Sequence, residues 1–137
     1  MSAFDQCHEQ VVRALEKAGW EVVQSPFRLR LFYRFVYVDL EVARGTNGSR
    51  EQMLLVEVKC FPDPKNTTRD LYTSIGQYLV YRAMIREKGL PHSVYLAVPE
   101  TIFSAVFDPA VMQVVKDSQI KIVVVNLEEE RIVQWIL

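Results

Sequence analysis

The sequence predicts a mixed α/β fold, a mixed sheet flanked by helices. Val11, Val12, Leu15 and Ala18 recur at helical spacing, whereas Val36, Val38, Leu40 and Val42 alternate with Tyr37, Asp39 and Glu41 at the period of a strand with two different faces. A long helical stretch then separates two sets of short β-prone runs. At 137 residues the chain has the length of one domain with a real core, and residues 1–137 are read as one such domain.

Each element has a local reason. Ser2 followed by Asp5 resembles an N-cap, and Gly19 is a natural stop, so the first helix is expected over residues 3–18. Residues 20–24 read as a short strand before Ser25-Pro26. Residues 29–35 are rich in aromatic and β-prone types and read as one extended stretch at an edge. After the alternating strand, the polar run from Arg44 to Ser49 reads as a turn. The next strand, residues 52–60, is expected to pair antiparallel with the one before it. Pro62, Pro64 and Asn66 end that strand, and Thr67 or Thr68 is placed to cap a helix that Gly89 and Pro91 close after Lys88. Residues 93–98 form a β run. A helix over 101–116 is interrupted near Pro109, and strands over 120–126 and 131–136 finish the chain.

Composition narrows the function. The formal charge is −1 and half the residues are hydrophobic, so the chain is neither disordered nor generally basic, and any nucleic-acid contact must use a local patch. Cys7 and Cys60 lack zinc-site spacing and are too few for a disulfide framework, so both are expected to be reduced and structural. No apolar run approaches a membrane span, and the expected compartment is the cytoplasm.

The chemistry is concentrated in Asp39 and in Glu57-Val58-Lys59. Carboxylates and amines in runs of Val and Leu are costly unless paired or bound to a metal. Glu57 and Lys59 project to one face of their strand, and hairpin pairing brings Asp39 beside them. Such a set of hard oxygens suits Mg2+ or Mn2+, with Lys59 orienting a water or stabilising phosphate charge. The plainer reading is an ion pair on a solvent-facing half of the sheet. Gln77 and Tyr81 share a helix face and are candidates to support the site, Tyr81 also as a phosphate or base contact. Asp70 and Ser74 on the neighbouring face are expected to be exposed helix polar groups. Glu9 is a further candidate metal ligand. Arg28, Arg30 and Arg34, interleaved with Phe27, Phe32, Tyr33 and Phe35, form a candidate nucleic-acid strip, with the three arginines on one face if the strand alternates without interruption. The alternative is an edge protected by charge.

Taken together, a helix carrying Glu9, a strand with Asp39, Glu57-Val58-Lys59 and Gln77-Tyr78-Leu79-Val80-Tyr81 resemble the PD-(D/E)xK restriction-endonuclease-like superfamily, including its Q-x-x-x-Y branch. More closely, the chain is similar to the XisH family, the fdxN element excision controlling factors of cyanobacteria, through Tyr37-Val38-Asp39-Leu40, Val56-Glu57-Val58-Lys59-Cys60-Phe61, Ile75 to Arg82 and Leu96-Ala97-Val98-Pro99. The resemblance implies a restriction-endonuclease-like core, with Asp39, Glu57 and Lys59 at its metal and catalytic positions. It also implies a role assisting a site-specific recombinase in excising a DNA element during heterocyst development, with DNA and the companion protein XisI as partners. A homodimer is among the assemblies the superfamily adopts. Two positions depart from the pattern, Val38 in place of the superfamily's proline and Cys60 in place of the serine expected after the lysine. The resemblance leaves open an active Mg2+-dependent DNA endonuclease, a non-catalytic controlling factor, or a structural subunit of a protein complex.

Overall fold

A run of seven residues, Gln52–Val58, forms the strand around which everything else is arranged, and its alternation explains why. Leu54, Val56 and Val58 pack into one apolar cluster, while Leu55 packs into a second on the opposite face. A strand buried on both faces must lie inside a sheet covered twice. The computed structural model describes residues 3–47 and 49–137 and shows that arrangement; Ser2 and its expected capping role lie outside the described residues.

In chain order the elements are α1 (Ala3–Lys17), β1 (Glu21–Gln24), β2 (Phe27–Leu31), β3 (Arg34–Val38), β4 (Leu40–Arg44), β5 (Gln52–Val58), α2 (Thr67–Lys88), β6 (Ser93–Pro99), α3 (Glu100–Val106), α4 (Pro109–Asp117), β7 (Ile122–Asn126) and β8 (Arg131–Ile136). The main sheet has six strands in the order β1-β4-β5-β6-β7-β8. The pairs β5-β6 and β6-β7 are parallel and the others antiparallel, so the sheet is mixed as expected. Strands β2 and β3 pair with each other and form a separate two-stranded hairpin.

The two sheet faces have different covers. Val11, Ala14 and Leu15 of α1 pack with Leu40, Val56, Ala97 and Val123 on one face. On the other, Leu71, Tyr78, Tyr81 and Ile85 of α2 pack with Leu55, Leu96 and Ile122, joined by Val115 of α4 and by Leu29 and Val38 of the hairpin. Helix α2 ends where Gly89 adopts φ 66°, a left-handed conformation that glycine takes without strain, and its N–H donates to carbonyls of the last turn. In the β4–β5 turn, a Cβ on Gly45 would lie 1.9 Å from the carbonyl oxygen of Ser49, so no other residue fits there without a shift. Among the described residues no helix is long and apolar enough to cross a membrane.

Three expectations are corrected. The stretch 29–35 is not one extended strand, because the chain reverses at Phe32 and Tyr33 to make the β2–β3 hairpin. The alternating run 36–42 is split by a bend at Asp39, with β3 in the hairpin and β4 in the main sheet. Cys7 and Cys60 are joined in a disulfide that ties α1 to the segment leaving β5.

Candidate functional site

The register of β4 against β5 sets Leu40 opposite Val56, and continuing it by one residue places Asp39 opposite Glu57. The bend at Asp39 allows its side chain and backbone to close on β5 together. The Val58 N–H donates to Asp39 Oδ2 at 2.8 Å, and the Asp39 N–H donates to Glu57 Oε1 at 3.2 Å. These bonds fix both carboxyl groups relative to the main chain. Glu57 follows the alternation of Leu55 and therefore points toward α2, where it is 4% exposed.

Lys59 lies two residues further on the same side, with Nζ 3.7 Å from Glu57 Oε2 and its side chain 22% exposed. Its N–H donates to the Ala97 carbonyl at 2.9 Å, which holds the segment against β6 beyond the end of β5. From α2, the Tyr81 hydroxyl approaches the Tyr37 carbonyl at 3.3 Å and Glu57 Oε2 at 3.5 Å. The structure thus brings together Asp39, Glu57, Lys59 and Tyr81. Burial, followed by the Asp39 charge, pushes the Glu57 carboxyl up to about 8, with the Lys59 charge opposing them. Burial and the neighbouring carboxylates push the Tyr81 phenol above its ordinary range.

Gln77 stands one turn before Tyr81 and lines the same cleft, of about 320 Å3, between α2 and the hairpin. Its Oε1 is buried without a hydrogen-bond partner among the described residues. On the other side of the cluster, a cleft of about 210 Å3 runs past Lys59, Cys60 and Asp70. A further cavity, of about 480 Å3 beside Trp20 and Trp135, lies away from these charges.

The remaining candidates are distributed differently. Glu9 sits on α1, which covers the opposite face of the sheet, and its ion-pair partner is Arg13 at 3.9 Å. Ser74, expected to be exposed, is fully buried and donates to the Asp70 carbonyl at 2.6 Å, a helical back-bond that leaves no free hydroxyl hydrogen. The arginines are divided by the hairpin. Arg28 pairs across with Tyr37 and Arg30 with Phe35, whereas Arg34 pairs with Leu31 and belongs to the alternate face. The expected common face of all three fails because the turn at Phe32 and Tyr33 resets the alternation, which puts Arg34 beside Gln77 and Tyr81.

A buried pair was not anticipated from the sequence. Glu41, which shares the face of Asp39, meets His92 Nε2 at 2.6 Å, with both side chains at most 6% exposed. The place of Glu41 in the alternating run marks it as facing Asp39's side, but nothing local points to His92.

The sequence model of the XisH protein family matches residues 1–133. The chain belongs to the XisH family. No curated protein matches it. This XisH-family chain is similar to the crystal structure of an fdxN element excision controlling factor protein from Anabaena variabilis, with 29% identity and a TM-score of 0.87, over 97% of this chain and 99% of that one. It is equally similar to an XisH family protein from Nostoc punctiforme PCC 73102, with 28% identity and a TM-score of 0.86, over 97% of this chain and 100% of that one. The mixed α/β architecture is therefore that of solved XisH structures.

Among the described residues, no three His, Cys, Asp or Glu side chains are grouped to enclose a metal ion. A Mg2+ or Mn2+ ion does not require such a cage, because one or two carboxylates, waters and substrate oxygens suffice. Asp39 and Glu57 fit that donor set. Each has one oxygen tied to a backbone N–H, and the upward shift of Glu57, caused first by burial and then by the Asp39 charge, is one that a bound cation would oppose.

Proposed function

We propose that this XisH-family chain is a controlling factor for site-specific excision of a DNA element, acting through a PD-(D/E)xK nuclease-like site at Asp39, Glu57 and Lys59. The observation that supports it is the convergence of two backbone-fixed carboxylates, a lysine and a tyrosine on one buried sheet face. The Anabaena variabilis relative is described as an fdxN element excision controlling factor. In this reading DNA is the substrate, with a site-specific recombinase and XisI as partners.

A divalent ion bound there would neutralise charge developing on a phosphate and lower the pKa of a bound water. Asp39 and Glu57 would hold it, and their backbone bonds keep them oriented before it arrives. Lys59 would direct its ammonium to a phosphate oxygen or to the attacking water. Tyr81 restrains Glu57 from the helix side, with Gln77 beside it.

The raised Glu57 group and its lysine also favour a second reading, an active Mg2+-dependent DNA endonuclease. One pair of assays separates them. Excision of a plasmid-borne element by the recombinase is measured with the chain omitted, present, or present as Glu57→Ala or Lys59→Ala, alongside plasmid nicking by the chain alone in Mg2+ or Mn2+. Excision that needs the wild-type chain and fails with both variants, without nicking, supports the controlling factor. Nicking abolished by both substitutions supports the endonuclease. Excision unaffected by omitting the chain contradicts the proposal.

A further inference from the structure

The β2–β3 hairpin carries more exposed aromatic surface than a structural edge requires. Phe32 is 79% exposed, Tyr33 94%, Phe35 47% and Tyr37 53%. The inner face of the hairpin is well used, since Leu29 and Val38 are buried in the core and Phe27 and Val36 pack against it. The rings at issue are on the outer face and at the tip. There the register alternates cation with ring, Arg28 across from Tyr37 and Arg30 across from Phe35. The Arg28 guanidinium stacks 4.5 Å from the centre of the Phe35 ring. No salt bridge among the described residues involves Arg28, Arg30 or Arg34. At the tip Phe32 holds φ 52°, a left-handed conformation unfavourable for a bulky residue, while its ring stands in solvent.

Beneath the hairpin, the cleft of about 320 Å3 leads from Arg34 and Phe35 past Gly76 and Gln77 to Tyr81. A Cβ on Gly76 would meet nothing within 4 Å, so the cleft is open at that position. Among the described residues no donor reaches the buried Gln77 Oε1. Tyr81 connects the cleft to Glu57.

We infer that this hairpin and cleft bind single-stranded DNA, with unpaired bases stacked on Phe32, Tyr33, Phe35 and Tyr37 and the backbone led along Arg34 toward the Asp39–Glu57–Lys59 cluster. The inference rests on the DNA reading above and narrows it to unpaired strands. In a duplex the base faces are hidden in the stack, so protruding rings have nothing to stack on. An unpaired strand offers a π-face at every base and phosphates to the arginines. Arg28 stacks on Phe35 and Arg30 Nε donates to the Phe32 carbonyl at 3.3 Å, but among the described residues neither has a carboxylate partner, and cations between the rings favour a polyanion over an apolar protein partner.

The test is fluorescence anisotropy of the full chain in EDTA with a labelled mixed-sequence oligonucleotide, single-stranded and as its duplex. It is repeated for Phe32→Ala/Tyr33→Ala, for Gly76→Leu and for Arg28→Ala/Arg30→Ala, each checked by circular dichroism and by elution volume. The expected result is a single-strand affinity at least tenfold above the duplex. The ring variant should lose about fivefold or more of single-strand affinity, as base–aromatic stacking implies, while duplex affinity stays unchanged. Gly76→Leu, which fills the cleft, should weaken single-strand binding, and the arginine variant should weaken both forms. Equal affinity for the two forms, indifferent to ring removal, would overturn the inference and leave the DNA reading standing. Binding to neither form by folded wild-type chain would overturn both. A wild-type dimer that the ring variant converts to monomer, without change in DNA affinity, would assign the rings to a protein interface.

Discussion

The backbone N–H of Asp39 donates to the Glu57 carboxylate, and the carboxylate of Asp39 accepts from the N–H that follows Glu57. The two residues therefore clasp each other through main chain and side chain at once, although their charges repel. That arrangement keeps two acidic groups together on a face where Glu57 is almost fully buried, and the upward shift of Glu57 follows from it.

Glu57 should make metal-free stability depend on pH. Its folded pKa lies above the unfolded value, so the native state binds the proton more tightly. Its contribution is fully present below pH 4.5, declines as pH rises toward about 8, and is constant above that. Urea midpoints across this range, for wild type and Glu57→Gln in EDTA, isolate the effect by difference. The variant should become progressively more stable relative to wild type as pH rises. A difference that is flat, or that slopes the other way, would show that Glu57 is not held protonated.

Tyr81→Phe removes a hydroxyl whose two contacts are long, at 3.3 and 3.5 Å. The expected loss is about 1 kcal/mol of unfolding free energy, the usual scale of one hydrogen bond. Because the ring stays in the core, a loss above about 3 kcal/mol would mean that the hydroxyl organises more than these contacts.

The disulfide between Cys7 and Cys60 spans 53 positions. Closing a loop of that length in the unfolded chain contributes roughly 4 kcal/mol on the chain-entropy model. Protein unfolded without reductant should show no free thiol, and Cys7→Ser/Cys60→Ser should lower stability by about 2–4 kcal/mol. Free thiols in the oxidised, unfolded chain would contradict the bond.

His92→Ala leaves the Glu41 carboxylate buried without its partner at 2.6 Å. A cost of about 3 kcal/mol is expected, and adding Glu41→Gln should recover part of it. A smaller cost, under about 0.5 kcal/mol, would show that the pair contributes little.

What was legible follows from how local the cause is. Helix α2 and its end at Gly89 are written in spacing and a single glycine, and the Asp39–Glu57 approach follows from a hairpin around a short turn. The β2–β3 hairpin is hidden in the sequence because Phe32 and Tyr33 are not turn formers, so the run reads as continuous and unbroken alternation places Arg34 on the face of Arg28 and Arg30. The disulfide and the Glu41–His92 pair join residues more than fifty positions apart, where no periodicity signals contact. Asp39 reads as a strand residue because its neighbours alternate on both sides, yet the bend there is what turns it onto β5.

The most direct test of a divalent-metal site between β4 and β5 is isothermal titration of Mn2+ into the wild-type chain and into Asp39→Ala and Glu57→Ala. Wild type should bind one Mn2+ and both variants should lose it, with thermal melting confirming that each remains folded. Wild-type protein that binds no Mn2+, or variants that bind it as wild type does, would contradict a divalent-metal site at these carboxylates.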